Sequence, residues 1–128
     1  KQLVAGIKKK APELTVVAVG SNSVATTAMK KAGADKAATG ENSVVVCSKR
    51  TKIITGPIGI VIADSMMGEI TPAMAEAIGS SDAKRVLVPM SGCDTIVAGV
   101  SDKPMTAMIE EAIEKIIALI ENYEEIME

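Results

Sequence analysis

Three short stretches hold the residues best suited to chemistry: Gly20-Ser21-Asn22-Ser23, Gly56-Pro57-Ile58-Gly59 and Ser91-Gly92-Cys93-Asp94. Each follows an apolar, largely β-branched run, as a loop at the C-terminal end of a buried strand would. Glycine lets a ligand approach the backbone, Ser and Asn offer hydrogen bonds, and a helix beginning just after the loop presents free N–H groups to an anion. In open α/β sheets ligands bind at that edge. On this reading Gly20, Ser21, Asn22 and Ser23 contact one end of a small anionic ligand, while Gly56, Pro57 and Gly59 line its middle. A nucleotide or dinucleotide is the ligand class in view. Ordinary turn and capping chemistry explains each stretch taken alone, so their clustering on one edge is what favours a site. A dinucleotide site usually carries an acid after its second strand to hold the ribose hydroxyls. Ser21 and Asn22 occupy that zone here, so a standard NAD preference has no support.

Asp64 and Glu69 are the candidate acid/base groups. Asp64 stands in an apolar stretch with Ser65 as its polar neighbour, and facing water or capping a local amide is the alternative for it. Cys93 has no neighbour that would lower its thiol pKa, and Asp94 would raise it, so it makes a poor nucleophile. The chain contains no His. That removes the commonest general base, the usual Ser and Cys triads and most zinc sites, and no metal site is expected. Cys47 and Cys93 form no CxxC pair and read as free thiols of a reducing cytoplasm.

Positioning these loops requires a core, and 128 residues are enough to build one domain over residues 1–128. Hydrophobic residues make up 48%, yet there is one Tyr and no Phe or Trp, so Ile, Val, Leu, Ala and eight Met must fill that core. Tyr123 alone cannot make a base-stacking platform, and the net charge of −2 gives no basic footprint; nucleic acid is not an expected partner. The longest apolar run, Ile53 to Ala63, is too short and too broken by Gly and Pro to span a bilayer. Lysines near the start and glutamates near the end read as two solvated helix faces, or as pairs contributing about 0–1 kcal/mol each.

Alternation of periods gives the elements. Lys1 to Lys10 reads as a helix, Thr15 to Val19 as a strand ending at Gly20, and Ser23 to Lys31 as a helix capped by Ser23 and ended by Gly33. Asp35 to Thr39 is a short strand, Gly40 to Lys49 a helix and Ile53 to Pro57 a central strand. Ile60 to Met67 reads as a short apolar helix closed by Gly68, buried deeply or against another subunit. Met66, Met67 and Met74 are core or interface filler on this reading. Thr71 caps the next helix, with Pro72 at its first position and Gly79 as its stop. Arg85 to Pro89 and Thr95 to Val100 are strands joined by five residues, too few for a crossover, so they run antiparallel if they are neighbours. From Pro104 the chain forms its clearest amphipathic helix, with Met105, Met108, Ile109, Ala112, Ile113, Ile116, Ile117 and Ile120 on one face. The fold class is α/β: a three-layer, Rossmann-like arrangement with a mostly parallel sheet and an antiparallel edge pair. The first helix needs a strand feeding it, so a strand and turn preceding Lys1 are expected.

At GSNSVATTAMKKAGADKAATGEN (Gly20 to Asn42) and TGPIGIVIADSMMGEITPAMAEAIGSS (Thr55 to Ser81) the chain resembles a small bacterial family catalogued as a domain of unknown function. The resemblance covers nearly the whole chain. It implies a Rossmann-like fold, and it implies a β-strand and glycine-rich, phosphate-cradling loop directly before the helix at Lys1. It brings no established activity and no phosphate-binding residue. The expectation is a cytoplasmic protein binding a nucleotide or other small anionic metabolite. Two alternatives stand beside it: a nucleotide-dependent enzyme using the same pocket, and a non-catalytic homo-oligomer joined through Met- and Ile-rich helices.

Overall fold

Among the described residues every strand is short and every strand pair is parallel. The computed structural model describes residues 1–89, 95–100 and 102–127, with side chains described through residue 121. Helix α1 (Gln2–Lys10) leads to β1 (Val17–Gly20), and α2 (Ser23–Lys31) to β2 (Lys36–Thr39). Then come α3 (Glu41–Ser48), β3 (Ile53–Pro57), a 3-10 turn (Ile58–Val61), α4 (Pro72–Gly79), β4 (Lys84–Val88) and α5 (Met105–Met127). Among the described residues β1 pairs with β2 and β3 with β4, as two separate two-stranded sheets. Val17 lies beside Lys36 and Gly20 beside Thr39; Ile53 lies beside Lys84 and Pro57 beside Val88.

Local chemistry sets the element ends. Gly33, at φ 119°, takes the left-handed position just past α2, as its place after Ala32 predicts. The Thr71 hydroxyl accepts from the Met74 amide at 3.2 Å, and Pro72 opens α4 where no N–H is needed. On one side of the strands, Ile7, Ile113 and Ile116 form a buried cluster with Val16, Ile53 and Val86, so α1 and α5 pack over both strand pairs. Burying each isoleucine contributes about 1.5–3 kcal/mol. A separate cluster joins Ile70, Met74 and Ala75 to Val44 of α3 and Ile60. Among the described residues no helix is long and apolar enough to cross a membrane.

Two expectations are corrected. The antiparallel edge pair is not seen: Arg85 to Pro89 is represented by β4, but Thr95 to Val100 forms no strand. All six of those residues are exposed and Gly99 is left-handed, so the run has no covered face and turns at Gly99. The helix over Ile60 to Met67 is replaced by the 3-10 turn and a chain of tight turns. Asp64 N donates to Ile70 O at 2.7 Å, and the Ser65 hydroxyl donates to Gly59 O, contacts that draw this backbone and side chain away from helical bonding. Of the three methionines read as core or interface filler, Met74 is in the core, while Met66 is exposed and Met67 fully so.

Candidate functional site

Asn22 organises the end of β1. Its backbone is extended, and its side-chain Oδ1 accepts from Ala25 N at 2.9 Å, so Asn22 caps α2 where Ser23 was expected to. The other end of the same amide, Nδ2, donates to Glu69 Oε1 at 2.9 Å. That bond ties the loop after β1 to the loop that follows β3 and its 3-10 turn, 47 residues away in sequence. A second tie lies alongside, where the Thr71 hydroxyl donates to Glu41 Oε1. Glu41 stands in the first turn of α3, where the helix dipole favours a carboxylate. The starts of α2, α3 and α4 therefore share an edge with the C-terminal ends of β1 and β3.

The glycines there serve close packing. A Cβ on Gly20 would stand 2.3 Å from Thr26 Oγ1 and 2.8 Å from Thr26 N, so α2 starts this near the strand only over glycine. Thr26 Oγ1 also lies 2.8 Å from Thr39 Oγ1, and Gly40 N donates to Gly20 O at 3.0 Å, which locks β1 to β2 at this end. Gly56 faces Ile60, and Gly59 faces Ser65 and Met66. All three glycines are buried, Ser21, Asn22 and Pro57 are half-buried, and Ser23 is exposed. The structure thus brings Gly20, Ser21, Asn22 and Ser23 together with Glu69, in the loop that follows the 3-10 turn carrying Gly59. Gly56 and Pro57 lead into that turn. Asp64 is exposed and left-handed at φ 63°, with Met66 and Met67 at 56° and 57° in the same segment. Ser91, Gly92, Cys93 and Asp94 lie outside the described residues.

An open groove of about 490 Å³ is lined by Lys1, Ser23, Val24, Thr27, Ala28, Lys31 and Ala32. Of the seven expected ligand contacts it includes Ser23 alone. A hollow of about 240 Å³ lies at the opposite strand edge, between Ser48, Ser80, Asp82 and their neighbours. Among the described residues no group of three or more Cys, Asp or Glu could hold a metal ion. Sequence reasoning missed the Thr26–Thr39 and Glu41–Thr71 contacts. The Thr71-Pro72 dipeptide signalled only the cap, because the partner carboxylate lies 30 residues away.

Chemically, this edge combines helix N-termini with the exposed carboxylates Glu41 and Glu69 and the small polar groups of Ser21 and Ser23. It can donate main-chain N–H groups to an anion and accept hydrogen bonds from hydroxyls beside it. Residues 1–121 match the model of a family described as "Domain of unknown function (DUF3842)". No curated protein and no solved structure matches the chain.

Proposed function

The chain belongs to the DUF3842 family, and from that premise we propose that it is a Rossmann-like binding domain for a small anionic metabolite, a nucleotide above all. The ligand lies along the C-terminal ends of β1 and β3, with Gly20, Ser21, Asn22 and Ser23 at one end of it and Gly56, Pro57 and Gly59 beneath its middle. In the same reading the helices form two layers, α1 and α5 over one face of the strands and α3 and α4 over the other, and the protein works in the cytoplasm. The observation that carries the proposal is the Asn22–Glu69 hydrogen bond, which joins two loops distant in sequence at one strand edge. In open α/β sheets ligands bind outside the carboxyl ends of parallel strands, which supplies the physical reason.

Native mass spectrometry of the full-length protein purified from its own host tests this reading. A stoichiometric nucleotide or phosphorylated metabolite, released on denaturation, is the expected result. A ligand-free protein whose melting temperature is also unmoved by a panel of nucleotides and sugar phosphates defeats it.

A second reading has its own observation. Met67 is fully exposed and Val24 is 79% exposed, apolar side chains that a second copy of the chain would cover. Sedimentation at micromolar concentration decides that point: a homo-oligomer supports it, and a monomer removes it.

A further inference from the structure

We propose that the turns leading into β3 and β4 form a basic surface for the phosphate backbone of a double-stranded nucleic acid. It lies at the strand edge opposite the candidate metabolite site and stands independently of that reading.

The net charge of −2 averages over a molecule whose charges are sorted. Of the 14 Lys and Arg residues, only Lys1, Lys103 and Lys115 lie away from the N-terminal edge, where α1 to α4 end and the strands begin. The acids of the turns there are Glu13, Asp35 and Asp82. α5 reaches the same edge beside α1, since Ile7 packs with Ile116 and Ile120. Its Glu121 and the glutamates after it weaken the field around Lys9 and Lys10. Farther along, the turns into β3 and β4 and the starts of those strands carry Lys49, Arg50, Lys52, Lys84 and Arg85 against Asp82 alone.

The fold holds these cations together. Ser81 Oγ donates to Ser48 O at 2.6 Å and Lys84 N to Lys52 O at 3.0 Å, which joins the two turns side by side. Arg85 Nη1 donates to Ser81 O at 2.7 Å and keeps its charge at the same place. Lys49, Arg50 and Lys84 are exposed and pair with no carboxylate among the described residues. The hollow of about 240 Å³ between the turns is not the seat of the anion. Ser48, Thr51, Ser80 and Ser81 line it, and each hydroxyl donates its proton to a main-chain carbonyl. An anion therefore finds its partners in the cations around the rim, spread over a surface rather than closed into a pocket.

Surface chemistry selects the partner. Neither turn carries an exposed large apolar side chain. Protein interfaces deplete Lys and gather aromatic residues and Met, and membrane-surface elements insert apolar side chains, so both fit poorly. Interfaces with nucleic acid are polar and strongly positive. Tyr123 is the only aromatic residue, which leaves no platform for stacking unpaired bases. Duplex phosphates need none, because their binding rests on the release of counterions.

Fluorescence anisotropy of a labelled, mixed-sequence DNA duplex of about 20 base pairs, titrated with the full-length protein without metabolite, tests the proposal. The expected Kd is about 1–10 μM near 50 mM salt, with log K falling against log salt at a slope of about −4. Lys49→Gln combined with Arg50→Gln should make that slope shallower by about 2 and weaken binding at least about tenfold. Lys103→Gln combined with Lys115→Gln removes the same net charge elsewhere and should leave the titration at the parent's values. No binding at about 100 μM protein overturns the proposal, and so does equal weakening in the two double variants. Tighter binding to vesicles containing phosphatidylserine than to the duplex overturns it in favour of a membrane. Salt-sensitive self-association in place of duplex binding overturns it in favour of a second copy.

Discussion

The two edges of the strand pairs are built from opposite chemistry. At the N-terminal edge, where helices end, cations satisfy carbonyl oxygens. Lys8 Nζ donates to Pro12 O at 3.0 Å and Leu14 O at 2.8 Å and pairs with Asp35 at 3.0 Å, while Asp35 accepts from Val16 N at 2.8 Å. Lys30 Nζ reaches Ala34 O and Asp35 O, and Arg85 Nη1 reaches Ser81 O at 2.7 Å. At the C-terminal edge, where helices begin, the ties are made by Asn22, Glu69, Glu41 and Thr71. A cation at a helix C-terminus and an acceptor at an N-terminus both follow from the helix dipole. The difference teaches that the first edge is tied through its own lysines and arginine and serves stability. The second is fastened at a few points and leaves Ser21, Ser23 and the helix starts available to a ligand.

Gly20→Ala should have the largest effect. The added methyl meets Thr26 and Asn22 backbone atoms under 3.0 Å, and overpacking of this kind costs about 1–3 kcal/mol. A melting temperature within a degree of the parent's would show that the start of α2 yields, contrary to this account. Lys8→Met comes next, at about 1–2 kcal/mol, because two carbonyls and a carboxylate lose their shared donor. Urea unfolding should register that loss while metabolite affinity stays at the parent's value; a fall in affinity would erase the distinction between the edges. Asn22→Ala should cost about 1 kcal/mol as a lost cap and also weaken metabolite binding about tenfold. Calorimetric titration that finds affinity unchanged would leave Asn22 as a cap and nothing more.

Glu69→Gln should move stability by no more than about 0.5 kcal/mol, since the amide oxygen can still accept from Asn22. Removing the negative charge should tighten phosphate-bearing ligands about two- to fivefold, and weaker binding would show that the carboxylate itself holds the ligand. The smallest effect belongs to acid. The Val16 N–H, then Lys8, hold the Asp35 carboxyl below its ordinary value of 3.8. A depressed carboxylate stabilises the fold above that ordinary value, and the contribution fades as pH falls through 3.8 and below. Asp35→Asn should flatten this part of a pH–stability profile, and an unchanged profile would remove the clamp from the account.

Much of this architecture is legible in the residues themselves. β3 falls on Ile53–Pro57 as read from its apolar run, and Thr71-Pro72 marks the start of α4. Gly33 ends α2, and the apolar stripe from Met105 to Ile120 defines α5. The site is legible in part. Gly20 to Ser23 lie at a strand end as expected, but their glycine is demanded by Thr26, a packing contact that no spacing rule displays. The stretch Ile60 to Met67 misleads because its composition is helical in hydropathy while its amides are claimed by Gly59 and Ile70.

The sequence by itself determines the alternation of helices and strands, the aliphatic core and the absence of histidine chemistry, because these depend on residue type and local period. Tertiary structure alone decides that Asn22, not Ser23, caps α2 and meets Glu69, that Lys8 clamps Asp35, and that the strands divide into two parallel pairs. Those outcomes join groups tens of residues apart. They depend on which backbone and side-chain donors find acceptors once the chain has closed, and local pattern carries no record of that competition.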